Sequence, residues 1–177
     1  KGYKVDLLLV KAVGPYLADI PESVRVIDLG CSRTLFSLPK LVNYLREEQP
    51  DILFSSQMHS STVALWASKL AGVKTRVFIR QPNMLKPSHE LEAFASKARR
   101  KVFLKTARLA EKIIVTSETM AKELELISGI SKHKIEIIHN PVPLDKIEKK
   151  SRAFIDHPWL KAGEPPVILA VGRLAKV

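Results

Sequence analysis

Two polar clusters in this chain follow directly on apolar runs. Thr116-Ser117-Glu118 comes after Ile-Ile-Val at 113–115, and His139-Asn140-Pro141 comes after Ile-Glu-Ile-Ile at 135–138. Ser117 is suited to capping a helix, and Glu118 puts negative charge in the first helical turn, where the dipole favours it. Beyond such a cap the first N–H groups of the helix point outward, free to bond a ligand. Asn140 before proline makes a turn. A cap and a turn account for these two residue types without any ligand, but two such loops on one edge point to a cleft. Arg80-Gln81-Pro82-Asn83 follows a third apolar run, and its guanidinium is either an anion fork or a surface arginine. His59 sits in the polar stretch at 55–61, where a strand hands over to a helix, and is either structural, exposed or functional. Cys31 and the histidines have no metal-ligand spacing, so the chemistry suggested is hydrogen bonding and anion contact.

These residues need a scaffold that brings them to one edge. Residues 113–115 form a strand, 117–128 a helix with Met120, Leu124 and Ile127 at helical spacing, Gly129 its close, and 135–138 a second strand. That is a βαβ unit of a parallel sheet, in which ligands bind beyond the carboxyl ends of the strands. Buried-strand patterns recur at 4–10, 24–29, 51–54 and 76–79, and again at 167–171. Between them, Leu38, Leu41, Val42 and Leu45 stripe a helix capped by Ser37. Val63, Ala67, Leu70 and Ala71 stripe a second, capped by Ser60 or Ser61 and closed by Gly72. A long helix follows at about 90–109, with Leu91, Phe94, Ala95, Ala98, Val102, Thr106 and Leu109 on its core side. Lys97, Arg99, Arg100, Lys101, Lys105 and Arg108 occupy the rest. The fold class expected is α/β: a Rossmann-like parallel sheet with helices on both faces. Residues 144–150 add a short helix, and 151–166 read as a linker anchored by Phe154, Ile155, Trp159 and Leu160.

Composition narrows the partners. A net charge of +11 over 177 residues suggests an anionic partner: nucleotide phosphate, nucleic acid or an acidic membrane surface. Nucleic acid fits less well, because aromatics are 6% of the chain and sit at core-like positions. The basic face of the long helix is either solvated or rests on anionic lipid through Lys97, Arg100, Lys101 and Lys105. The single cysteine excludes an intrachain disulfide and fits a reducing compartment. No apolar run is long enough to span a bilayer.

Several stretches resemble group 1 (family 4) glycosyltransferases of GT-B architecture. DHPW at 156–159 with GEPPVILAVGRL at 163–174 is similar to the interdomain passage of that family; IIVTSE at 113–118 and IIHNPV at 137–142 resemble its strand-and-turn passages. SRTLFSLPKLVNYLREEQPDILFS and ALWASKLAGVKTRV also look like it. The resemblance implies an acceptor-side domain over 1–146, a linker over 147–166, and the first strand of a donor-binding domain over 167–177. It implies a retaining transfer, without metal or other cofactor, from a UDP- or GDP-sugar to a lipid-linked or polysaccharide acceptor. Gly172 and Arg173 match the family's pair at the donor diphosphate, where a fixed guanidinium would offset charge on the leaving phosphate. His59 matches a histidine placed near the acceptor, alongside Arg80, Asn83, Ser117, Glu118 and Asn140. No residue here matches a catalytic group. Such an enzyme would be cytoplasmic and peripheral at the inner membrane face. The family's glycine-rich first strand–loop has no counterpart in 1–177. Lys1-Gly2-Tyr3 looks like the tail of a helix, so that strand is expected upstream, central in the sheet and beside residues 4–10. Residues 1–177 alone are then expected to be inactive. Two alternatives stay open: a GT-B epimerase or phosphorylase, and a basic nucleic-acid- or membrane-binding module.

Overall fold

A computed structural model describes residues 2–82, 94–161 and 163–172. Two compact units divide the chain, Lys1–Asn140 and Pro141–Val177. In the first, strands β1 (Val5–Leu9) and β2 (Val24–Asp28) pair in parallel. Strands β3 (Ile52–Ser56), β4 (Arg76–Gln81), β5 (Lys112–Val115) and β6 (Ile135–Ile137) form a parallel sheet in that order. Helices α1 (Leu38–Glu48), α2 (Met58–Ala71), α3 (Phe94–Ala107) and α4 (Glu118–Ser128) make the crossovers. The α/β, Rossmann-like class read from the sequence is therefore the class observed: parallel strands flanked by helices.

Strand alternation shows where the core lies. Leu53, Val77, Ile79, Ile113, Val115 and Ile135 occupy one face in register and pack with Leu65 of α2, Phe103 and Ala107 of α3, and Met120 and Leu124 of α4. A second cluster joins Leu41, Val42 and Leu45 of α1 to Val63, Ala64 and Ala67 of α2, with Leu8 of β1 and Leu53 of β3 against it. Each step from β3 to β6 goes to the neighbouring strand in the same direction. Right-handed crossovers of that kind place their helices on one face. Strands β1 and β2, a separate two-stranded sheet, are joined through a 3-10 turn, Pro15–Asp19.

Helix boundaries depart from the sequence reading where side-chain chemistry left a choice. Ser37 stands at the N-cap of α1 without capping it: its Oγ donates to the Thr34 carbonyl at 2.6 Å, because a 3-10 turn runs straight into the helix. Helix α2 begins at Met58, not after Ser60, so Ser61 lies inside it at 1% exposure, while Leu70, expected in the core, is 58% exposed. In α3 the core face is turned by one residue. Phe103, Thr106, Ala107 and the following Ala110 are buried, whereas Val102 and Leu109 are half exposed. Phe103 brings the largest apolar area, so the helix rotates to bury it. Ser117 caps α4 as expected, accepting from Met120 N–H at 3.3 Å, and Gly129 closes it in the left-handed conformation.

The second unit holds α5 (Leu144–Ser151) and a 3-10 turn, Pro158–Leu160. Phe154, Ile155, Trp159 and Leu160, expected as anchors, are exposed. Residues 167–172 form no strand, and Ile168 is 98% exposed. A strand exists only where another backbone pairs with it, and the described residues supply none here.

A charged network ties the first pair of strands to α1. The Asp6 carboxylate accepts from Arg25 and, at 2.8 Å, from Tyr44 Oη; Arg25 also reaches Glu48 at 2.7 Å. Arg25 first, and Tyr44 second, hold the Asp6 carboxyl below its ordinary value. Burial, with Asp6 beside it, pushes Tyr44 up to about 12. The depressed Asp6 adds stability above its ordinary value of 3.8, lost as pH falls through its folded value. The raised Tyr44 adds stability below 10.0, lost as pH climbs towards 12. In urea titrations the gap between the native chain and Asp6→Asn should hold from neutral pH down to 3.8 and then narrow. The gap to Tyr44→Phe should hold up to 10.0 and narrow above it. Gaps that do not change with pH would show that the network carries no linked protons.

Candidate functional site

The carboxyl ends of β3, β4, β5 and β6 form one rim, and it is where the polar clusters gather. At its first position β3 passes into α2 through Gln57, a non-glycine residue with φ +74°. The Gln57 N–H donates to the Arg80 carbonyl at 3.1 Å, and its carbonyl accepts from Ser61 N–H at 2.9 Å. That left-handed backbone costs about 1–3 kcal/mol and is held by these two bonds, which close the corner between strand and helix. His59 is exposed in the first turn of α2, two residues beyond.

From β4, the Arg80 guanidinium reaches past the end of β5 to the Asn140 Oδ1 at 2.5 Å. The side chains of Ser56, Arg80, Ile114 and Glu136 share the row of the sheet opposite the helices. From β6, the chain continues with the Ile138 N–H donating to the Val115 carbonyl at 2.9 Å, and then the His139 Nδ1 lies 3.0 Å from the Thr116 carbonyl. The carbonyl can only accept, so Nδ1 carries the proton of that bond. Thr116 leads into Ser117, the α4 cap, and exposed Glu118 begins the helix. Bonds thus link successive rim loops: Gln57 to Arg80, Arg80 to Asn140, and His139 to Thr116.

Of the residues singled out from sequence, Arg80 and Asn140 are in direct contact, and Ser117 and Glu118 adjoin the loop that His139 binds. His59 is on the same edge with no bond to the others among those described. Asn83 and Arg173 lie outside the described residues. Gly172 is exposed, with nothing within 4 Å of the position a Cβ would take. It belongs to the second unit. Two contributors were not legible in the sequence. Gln57 bears a glycine-like conformation with no glycine to announce it, and His139 was read as part of a turn. Only the pairing of β6 with β5 turns its ring towards Thr116.

Such a rim offers an arginine fork, amides, hydroxyls, a carboxylate and imidazoles around the open end of a parallel sheet. These are hydrogen-bonding groups for a polar, polyhydroxylated or anionic ligand, placed where doubly wound sheets bind ligands. The class is that of a Rossmann-like domain of the GT-B amino-terminal type. A family model described as Glycosyltransferase Family 4 matches residues 1–146, and the chain belongs to that family. No curated protein matches the chain. Membership brings with it, in general terms, a glycosyltransferase domain that meets a sugar donor and an acceptor. Among the described residues no helix is long and apolar enough to cross a membrane.

The Arg80–Asn140 bond can be weighed directly. A double-mutant cycle with Arg80→Ala and Asn140→Ala should give a coupling of about 0.5–1.5 kcal/mol in urea unfolding. Additive losses, with no coupling, would mean that the two side chains do not hold each other in solution.

Proposed function

We propose that residues 1–146 are the acceptor-side domain of a retaining glycosyltransferase. It moves a sugar from a UDP- or GDP-sugar, without metal, to a lipid-linked or polysaccharide acceptor. The observation that carries this reading is the bonded rim at the carboxyl ends of β3 to β6. In it Arg80 is held by Asn140 while the ends of β5 and β6 are fastened through His139. Arg80, Asn140, Ser117, Glu118 and His59 are the groups we assign to acceptor binding, with Asn83 in the same loop as Arg80. A rim already held by internal bonds loses little conformational freedom when a ligand arrives. The sequence match over 1–146 supports the transferase class, and Gly172-Arg173 is assigned to the donor diphosphate on the resemblance of 163–174.

On this reading residues 1–177 alone do not turn over substrate, since transfer needs donor and acceptor held together. Incubating the purified 177-residue chain with UDP- and GDP-sugars and a polyprenyl-phosphate or oligosaccharide acceptor should yield no product. The polypeptide carrying a complete second domain should yield one with the donor's anomeric configuration retained. Inversion, epimerised donor or phosphorolysis would overturn the assignment.

Helix α3 supports the lipid side of the proposal. Lys97, Lys101 and Lys105 are exposed at a spacing of four, and Arg100 is half-buried beside them. Phe103 and Ala107 face the core from the opposite side of the helix. Each cation near an anionic surface adds about 1 kcal/mol. The chain should float with phosphatidylserine vesicles at low salt and be released at high salt. It should lose flotation when Lys97, Lys101 and Lys105 are changed to Glu. Equal flotation with neutral vesicles, or none with anionic ones, would remove the membrane from the proposal.

A further inference from the structure

Helix α2 starts on the rim with the donors of its first turn unspent. The Ser61 N–H bonds back to the Gln57 carbonyl at 2.9 Å, so Met58, His59 and Ser60 carry the N–H groups that a helix leaves without an internal acceptor. No side chain caps them, and no acidic residue lies in the first turn. A helix start of this kind is common and by itself says nothing of a ligand. The second observation is Ser61. The residue is 1% exposed, and its Oγ has no hydrogen-bond partner among the described residues. A serine or threonine inside a helix can donate to the carbonyl four residues back, as Thr62 Oγ1 does to Met58 at 2.8 Å. The Ser61 hydroxyl does not do so. Helical side chains lean towards the amino end, so this Oγ lies over the turn that begins at Met58. Ser61 also opens the buried row continued by Ala64 and Leu65, which puts it on the sheet side of α2. There the Gln57 N–H meets the Arg80 carbonyl at 3.1 Å. Three free amides and one unpaired hydroxyl therefore converge where the start of α2 meets the carboxyl end of β4.

We propose that the amino end of α2 binds the phosphate of a phosphorylated acceptor, with the N–H groups of Met58, His59 and Ser60 and the Ser61 hydroxyl donating to its oxygens. All four groups are donors there, so the ligand that uses them is an oxyanion with several acceptor oxygens. A sugar hydroxyl would satisfy one or two of them and would bring a proton of its own. The partial positive charge of the helix start favours the same choice, and Arg80 adds a full positive charge to the same rim. The proposal rests on the acceptor-side reading given above and narrows it. Of a lipid-linked and a polysaccharide acceptor, α2 selects the one that carries a phosphate.

Amide NMR spectra of the polypeptide as its gene encodes it test this with three probes: inorganic phosphate, geranyl phosphate and UDP. Inorganic phosphate should shift the amides of Met58, His59 and Ser60 saturably. It should leave those of Glu118 and Thr119 in place, because α4 is capped by Ser117 and has an acid in its first turn. Ser61→Ala should weaken phosphate binding about tenfold. The same change should raise the urea midpoint of the phosphate-free protein, since it removes a buried hydroxyl that bonds nothing. Geranyl phosphate should bind more tightly than inorganic phosphate or UDP. The absence of a saturable shift, or an equal shift at α4, would overturn the proposal. So would Ser61→Ala that lowers the midpoint and leaves phosphate affinity unchanged, because the hydroxyl would then serve the fold through a buried water. Tighter binding of UDP would give the site to the donor and overturn the acceptor assignment. None of these readouts needs turnover. Phosphate and geranyl phosphate bound as expected, with no transfer product, would overturn the transferase reading and leave the phosphate site standing.

Discussion

A parallel strand cannot turn straight back into its neighbour; it must cross over, and L-amino acids make that crossover right-handed. Most of what distinguishes this domain follows. Moving stepwise from β3 to β6 puts α2, α3 and α4 on one face and sends every strand-to-helix turn to one edge. The core then needs only one apolar parity per strand. Leu53, Val77, Ile79, Ile113 and Val115 supply it, with the aromatic ring of Phe103 filling the space between sheet and helices. The candidate site is the other consequence of the same rule, since loops far apart in sequence become neighbours on one rim.

The rim is held by bonds that ordinary strand pairing would not provide. Arg80 spans the end of β5 to meet Asn140, and His139 fastens its own loop to the carboxyl end of β5. Gln57 accepts an uncommon backbone conformation so that its N–H and carbonyl can join β4 and α2. These are short-range contacts at exposed or half-exposed positions, so each is worth little to stability by itself. Their effect is geometric: they leave the polar groups of four loops with few ways to move relative to one another. The region of the sheet around β1 depends on a different device. There Asp6, Arg25, Tyr44 and Glu48 tie the strands to α1 through ion pairs and a hydrogen bond.

Local chemistry and apolar periodicity determined a good deal before any coordinates. The six strands of the first unit, the cap at Ser117, the closing glycines at 72 and 129, and the parallel βαβ class are properties of short stretches. They can be read residue by residue because they depend on neighbours one to four positions away. The candidate rim was legible to the same extent. Carboxyl-end loops follow from strand order, so Arg80, Ser117 and Asn140 could be assigned to one edge. What could not be read was any matter of choice between equivalent local options. Helix α3 carries two apolar stripes, and the sheet selected the one with Phe103. Ser60 and Ser61 look like caps, yet Gln57 starts α2 because its backbone is needed at β4. The stretch at 167–172 has the composition of a strand and forms none, since a strand is a relation between two backbones. Tertiary structure alone decided that Arg80 meets Asn140, that β1 and β3 do not pair, and which helix faces are buried, because each depends on groups dozens of residues apart whose meeting no local pattern encodes.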